Sequence, residues 1–160
     1  MTAADTGFLG GIAIFGGLSA DALSRIAAMI RARDVEAGTA ILEQGTPARE
    51  MFIVREGELE VRKRNSRGVD IKVATLRAGD CVGEMSLIDI QPRSATVRAL
   101  GPVKLLVLTS GDLAEIERAD PRSWTLLVMN IAREISRRLR RVDEVLVELA
   151  LPVQDLWGHE

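Results

Sequence analysis

The stretch Gly83-Glu84-Met85-Ser86-Leu87-Ile88-Asp89-Ile90-Gln91-Pro92-Arg93-Ser94-Ala95-Thr96 concentrates the chemistry of this 160-residue chain. Gly83 lets the backbone come close to a ligand and opens a short helical turn through Glu84, Met85, Ser86 and Leu87, whose free N–H groups suit an anion. Pro92 fixes the path into Arg93, and a guanidinium held in one place can donate two parallel hydrogen bonds to a phosphate. Ser94 adds a hydroxyl and an N–H beside it. Glu84, acceptor-only when ionised, suits a neutral hydroxyl and repels a second phosphate charge. These residues favour a sugar phosphodiester with one negative charge over ATP or a phosphomonoester. They equally permit a plain Glu84–Arg93 salt bridge that closes a loop.

Outward from this stretch, the sequence from about Val35 to Thr109 consists of short β-prone runs broken by glycine: 39–42, 51–55, 58–63, 69–76, 95–100 and 103–109. Gly38, Gly45, Gly57, Gly68 and Gly79 fall between the runs and read as turns. Leu59 and Val61 alternate with Glu58, Glu60 and Arg62, so one face of that strand is buried and the other wet. An antiparallel barrel or sandwich is expected. Before it, Ser19 can cap a helix carrying Leu23, Ile26, Ala27 and Ile30 on one face.

After Thr109 the period becomes helical, first from about Gly111 to Arg118 and then from Asp120-Pro121, an N-cap followed by a first-turn proline. The second helix runs without Gly or Pro to about Ala150, roughly 43 Å. Its apolar residues Leu127, Ile131, Ile135, Leu139, Val142, Leu146 and Leu149 recur at spacings of 4, 4, 4, 3, 4 and 3, close to a coiled-coil seam. The first half of this stripe suits packing on the chain's own barrel. The second half predicts a partner helix, most simply from a two-fold copy, and therefore a homodimer.

Composition narrows the function classes. Lys and Arg number 21 against 23 Asp and Glu, so no net field draws the chain to nucleic acid or an anionic membrane. The single cysteine, Cys81, excludes an intrachain disulfide and reads as a buried, inert thiol; with no basic segment before Gly7–Leu18 to suggest export, a cytoplasmic protein is expected. No apolar run approaches the roughly 20 residues of a membrane span. His159 is the only histidine, so neither a cupin-like metal site nor a Ser-His or Cys-His nucleophile is expected: no catalytic residues, no metal ligands. Arg133, Arg137, Arg138, Arg140 and Arg141, flanked by Glu134, Asp143 and Glu144, read as a solvated helix face rather than a nucleic-acid patch.

Gly-Glu-Met-Ser-Leu, with Pro-Arg-Ser-Ala-Thr beginning nine residues after its glycine, resembles the phosphate-binding cassette of the cyclic nucleotide-binding domain family, which includes the bacterial catabolite activator protein and the regulatory subunit of cyclic-AMP-dependent protein kinase. The resemblance extends from Phe15-Gly16-Gly17-Leu18-Ser19, similar to the family's N-terminal helical segment, to the long C-terminal helix. It implies a mainly β fold, an antiparallel, jelly-roll-like β-roll with an N-terminal helix and a long C-terminal helix. The expected organisation is an N-terminal helical segment at 1–34, a β-roll at 35–109 with its cassette at 83–96, a hinge helix and long helix at 110–150, and a tail at 151–160.

The resemblance implies that Glu84 binds a ribose 2′-OH and Arg93 the cyclic phosphate. Gly83, Ser86 and Ser94 would supply further contacts, and Met85 and Ala95 complete the ligand-binding set, with the side chains of Met85 and Leu87 beneath the loop. Aligning Leu139 with the family's Arg-Leu step puts Val142 and Asp143 at the base, although Val142 offers no hydroxyl; Cys81-Val82 stand where the family commonly has Phe. Trp157 is a candidate lid. The implied ligand is cyclic AMP, or alternatively cyclic GMP, with no cofactor. The implied protein is a non-enzymatic receptor module whose helices move on binding and regulate an unidentified effector protein. Ten residues after Ala150 leave no room for a helix-turn-helix domain, so direct DNA binding is not expected. Two alternatives are a dimeric interaction protein that has lost ligand binding and a regulatory fragment of a larger transcription factor, kinase or channel.

Overall fold

The β-prone runs fold into two four-stranded antiparallel sheets, seen in a computed structural model that describes residues 5–148. One sheet has the order β1 (Arg31–Val35), β8 (Val103–Thr109), β3 (Glu50–Glu56), β6 (Cys81–Val82), and the other β2 (Ala40–Leu42), β7 (Thr96–Ala99), β4 (Leu59–Arg64), β5 (Asp70–Leu76). Alternation along β3 and β8 divides two cores. Phe52, Val54, Leu105 and Val107 join Leu59, Val97 and Ala99 in one apolar cluster between the sheets. Met51, Ile53, Leu106 and Leu108 join the helices in a second cluster. Both strands are thus buried on both faces, which is why each reads as a nearly continuous apolar run.

The helices are α1 (Thr6–Gly10), α2 (Ala20–Met29), α3 (Met85–Ile88), α4 (Ser110–Ala119) and α5 (Pro121–Glu148), with a 3-10 turn at Ala13–Phe15. Ser19 caps α2 by accepting from the Ala22 N–H at 3.2 Å. Thr109 and Asp112 form a reciprocal capping box on α4. Asp120 accepts from the Ser123 N–H at 3.1 Å and from its hydroxyl at 2.7 Å, anchoring the start of α5. The expected β-roll with flanking helices is the architecture observed, and all five turn glycines adopt positive φ.

Four elements have no counterpart among the expected ones. β1 begins at Arg31, four residues before the β texture of the sequence, because Arg31, Ala32, Arg33 and Asp34 are exposed and it is antiparallel pairing with the apolar β8 that makes them a strand. β6, with two residues, is too short to show a period. The Gly-rich start forms α1 and the 3-10 turn, held by the buried Leu9, Ile12, Ile14 and Phe15.

Helix α5 is the bridge between layers. Leu127 and Ile131 are fully buried against the roll. Between them, the buried Asn130 donates from Nδ2 to the carbonyls of Ile14 (3.1 Å) and Gly16 (2.9 Å) and accepts from Arg133 at 2.9 Å, tying the helix to the 3-10 turn. Further on, Leu139 and Val142 are more than half exposed, so the apolar stripe leaves the roll midway, as its spacing predicts. Among the described residues no helix is long and apolar enough to cross a membrane. Leu149, Trp157, His159 and the 151–160 tail lie outside the described residues.

Candidate functional site

The segment between β6 and β7 forms the site. Gly83 has φ +87, and a Cβ there would fall 2.5 Å from Arg93 Nη1 and 3.1 Å from the Glu50 carbonyl oxygen, so only glycine fits both the backbone and the space. Glu84 then starts the single turn of α3, whose Leu87 packs on the helical core. The chain leaves α3 through Ile90, which has φ +58, the left-handed region where a β-branched residue is strained. Asp89 steadies this exit by accepting from the Gln91 N–H at 3.0 Å. Pro92 leads into Arg93, whose main chain is clamped to the turn after β2: its N–H donates to Thr46 and its carbonyl accepts from Gly45.

Arg93 is 5% exposed, yet carries its charge into that setting on main-chain acceptors: Nη2 donates to the Glu50 carbonyl at 2.6 Å and Nη1 to the Gly83 carbonyl at 3.1 Å. Burial pulls the guanidinium below its ordinary value, opposed by the charges of Glu50 and Glu84. Two carbonyls of fixed direction leave part of the five-donor fork for an anion.

Glu84 is 2% exposed and does not pair with Arg93. The loop-closing salt bridge that the sequence permits is replaced by a longer-range one: Oε1 accepts from Nη1 of Arg138 on α5 at 2.7 Å. The same guanidinium donates from Nη2 to the Cys81 carbonyl at 2.9 Å, and its Nε lies 3.5 Å from Glu134. Glu84 Oε2 is buried with no hydrogen-bond partner. Burial pushes the carboxyl up from its ordinary value, with Arg138 the main opposing influence. The neighbouring Cys81 thiol, pushed up to about 12 chiefly by burial, stays protonated at neutral pH.

The remaining expected residues divide. Ser86 is buried at the start of α3, Ala95 is half-buried and Ser94 exposed. Met85 is 43% exposed, correcting its expected place beneath the loop: at about 100° per residue it lies about 200° around the turn from Leu87, which packs on the helical core. Val142 lies about 40° around α5 from Arg138, whereas Asp143 lies about 140° away, on the side turned from the cassette. Both are exposed. Arg138 is the residue that sequence reasoning assigned to solvent. Its signal was its position: seven residues after Ile131 and eleven after Leu127, it continues the buried stripe.

A two-sheet roll, a cassette enclosing a carboxylate and a guanidinium, and a long helix reaching back to it define a class of small-anion receptor. The chain belongs to the cyclic nucleotide-binding domain family, whose sequence profile matches residues 32–120. It is 36% identical over 110 residues to a cAMP-dependent protein kinase regulatory subunit of Mycosarcoma maydis, covering 67% of this chain and 21% of that protein. The chain thus spans about a fifth to a quarter of the length of the first curated relatives it matches. The Thermus thermophilus catabolite activator protein superposes with a TM-score of 0.75 at 29% identity, covering 86% of this chain and 62% of that one. A cyclic nucleotide-binding domain from Methylobacillus flagellatus, 22% identical, shares the fold with a TM-score of 0.83 over 94% of this chain and 84% of its own.

Proposed function

We propose that this domain is a cyclic nucleotide receptor that takes cyclic AMP, with cyclic GMP the alternative, and regulates an effector protein without chemistry of its own. The observation that carries the reading is a buried carboxylate and a buried guanidinium in one cassette that are not spent on each other. Arg93 balances the single charge of the cyclic phosphate, and Glu84 accepts the ribose 2′-OH. The N–H groups of α3, with Gly83, Ser86, Ser94 and Ala95, close around the phosphate and sugar, while Met85 borders the opening. Val142 is the base-side candidate that shares a face of α5 with Arg138.

Binding acts on the helices because α5 touches both the cassette, through Arg138, and the N-terminal turn, through Asn130. Ligand shifts the arrangement only as far as it prefers one helix position over another. The exposed Leu139, Val142 and Val145 on α5 support a homodimer along that helix as the output surface.

The test is titration calorimetry with cyclic AMP and cyclic GMP on wild type and Arg93→Ala. Wild type should bind, with a gain of ~2.7 kcal/mol in stability at 100 times the dissociation constant. Arg93→Ala should lose ~2–5 kcal/mol of affinity. Absence of binding and of any thermal shift with both nucleotides would sink the reading, as would equal affinity in the variant.

A further inference from the structure

A cleft of about 540 Å³ opens on the outer face of the sheet β2-β7-β4-β5, between the turn that follows β2 and the end of β4 at Arg64. Neither Glu84 nor Arg93 lines it. Leu59, Val61, Val97 and Ala99 face the core between the sheets, so alternation turns Arg64, Thr96 and Arg98 outward. The floor of the cleft is built by a side chain. β7 begins only at Thr96, and the gap below it between β2 and β4 is closed by Gln44, which pairs as a strand would: Oε1 accepts from the Arg64 N–H at 2.8 Å and Nε2 donates to the Arg64 carbonyl at 3.3 Å. The Gln44 N–H donates to Thr96 Oγ1 at 3.1 Å. Bonds of this kind use up acceptors along the cleft and leave donors. Thr96 keeps its O–H. Asn65 Oδ1 accepts from the N–H groups of Arg67 (2.9 Å) and Val69 (3.0 Å), which leaves Nδ2. Arg64 spends Nε and Nη2 on Asp70 at 2.9 and 3.0 Å and keeps Nη1. Arg98 spends only Nη1, on the Gly38 carbonyl at 3.2 Å. No ion pair among the described residues includes Arg98 or Glu43.

Charge agrees with this count. In a chain of net charge -2, the cations Arg62, Arg64, Lys72 and Arg98 share this face of β4, β5 and β7 with only the carboxylates Glu60 and Asp70. The hydrogen bonds from Arg64 hold the Asp70 carboxyl below the usual carboxylate range, and Arg62 and Arg98 add to the pull. These groups define the guest. The volume falls within the roughly 300–1,000 Å³ of small-molecule sites and exceeds what a bare phosphate or sulfate ion fills. None of the lining residues is aromatic or a large aliphatic, so no apolar surface is offered to a base or to a partner's anchoring side chain. An uncompensated guanidinium calls for an acidic group, and amide and hydroxyl donors beside the Glu43 acceptor suit a set of hydroxyls. We propose that this cleft is a second binding site, for a sugar bearing one acidic group, phosphate or carboxylate, with the acid on Arg98 and the hydroxyls on Thr96, Asn65 and Glu43. The site goes beyond the cassette and does not depend on what the cassette binds.

The test is amide chemical-shift titration of the full chain with glucose 6-phosphate, ribose 5-phosphate, glucuronate, glucose, inorganic phosphate and the acidic peptide hexaglutamate. At least one acidic sugar should bind saturably and shift the amides of Gln44, Asn65, Thr96 and Arg98. Glucose and inorganic phosphate should each bind about tenfold or more weakly, since each lacks part of the contacts. A preference for glucose 6-phosphate or for glucuronate identifies the acid as phosphate or carboxylate, and either supports the site. Arg98→Ala should weaken the acidic sugar about tenfold or more, the scale of a hydrogen bond to a charged group, with Arg98→Gln as the second variant should Arg98→Ala fail to fold. Cyclic AMP affinity should stay within about twofold in both, as expected of independent sites. The proposal is overturned if no acidic sugar saturates these amides, if inorganic phosphate binds as tightly as the sugars, if only hexaglutamate shifts them, or if Arg98→Ala leaves the affinity unchanged. Cyclic nucleotides are followed separately at the amides of Gly83 and Glu84, so their failure to bind would defeat the receptor reading and leave this site standing.

Discussion

Replacing Gly83 by Ala adds one methyl group where two constraints meet, and their sum can be separated by a control. The first is backbone strain: at φ +87 a Cβ costs about 1–2 kcal/mol. The second is space. The new carbon would sit 2.5 Å from Arg93 Nη1 and 3.1 Å from the Glu50 carbonyl oxygen, which lies in β3 and cannot easily move. Arg93 must therefore yield and lose its 3.1 Å bond to the Gly83 carbonyl, a charged hydrogen bond of about 1.5–3 kcal/mol. Together these predict about 2.5–5 kcal/mol of destabilisation, or roughly 5–20 °C in midpoint for a domain of this size. Gly68, at φ +80 with nothing within 4 Å of its added Cβ, supplies the control: Gly68→Ala should cost only the strain. Urea titration of the three proteins measures both terms. Equal destabilisation by the two substitutions would refute the claim that Gly83 makes room for Arg93.

Two further expectations concern the same segment. Ile90 pays for a left-handed backbone while its side chain is 88% exposed, so Ile90→Gly forfeits little burial and should raise stability by about 0.5–1 kcal/mol in urea, after the entropic cost of glycine is subtracted. A loss of stability would mean that the Ile90 side chain does more than its exposure indicates. Glu84 has a folded-state pKa raised above the ordinary 4.5, so the stability tied to its protonated form is fully present below that value and is lost as pH rises through the raised one. Wild type should accordingly lose stability relative to Glu84→Gln as pH rises above about 4.5 in paired denaturant titrations. A difference that does not change with pH would show that burial does not disfavour this carboxylate.

The roll was legible in the sequence because its devices are local. Leu59 and Val61 on the inter-sheet core, glycines at turns, and Ser19 and Asp120 as caps all act over a few residues and appear where expected, whereas the wet face opposite Leu59 and Val61 does not, since Glu60 and Arg62 are half-buried like Val61. β1 was not legible because nothing in Arg31 to Asp34 prefers a strand; the preference resides in β8, more than 60 residues away. The cassette was legible as a constellation but not as a set of bonds.

Nearness in sequence left a Glu84–Arg93 pair open beside the anion-binding reading, and a run of neighbouring arginines and acids made Arg138 look solvated. Tertiary structure excludes the first and corrects the second for one geometric reason. The turn at Gly83 and the adjoining edge of β3 offer Arg93 two main-chain oxygens, which hold a cation without neutralising it. Glu84 is then left to the cation on the buried stripe of α5. Had the two cassette charges paired with each other, a ligand would have to break that pair before binding, and α5 would have no part in the site. Because they do not, Arg93 rests on main-chain carbonyls, Glu84 on the guanidinium of Arg138, and α5 is tied directly into the cassette.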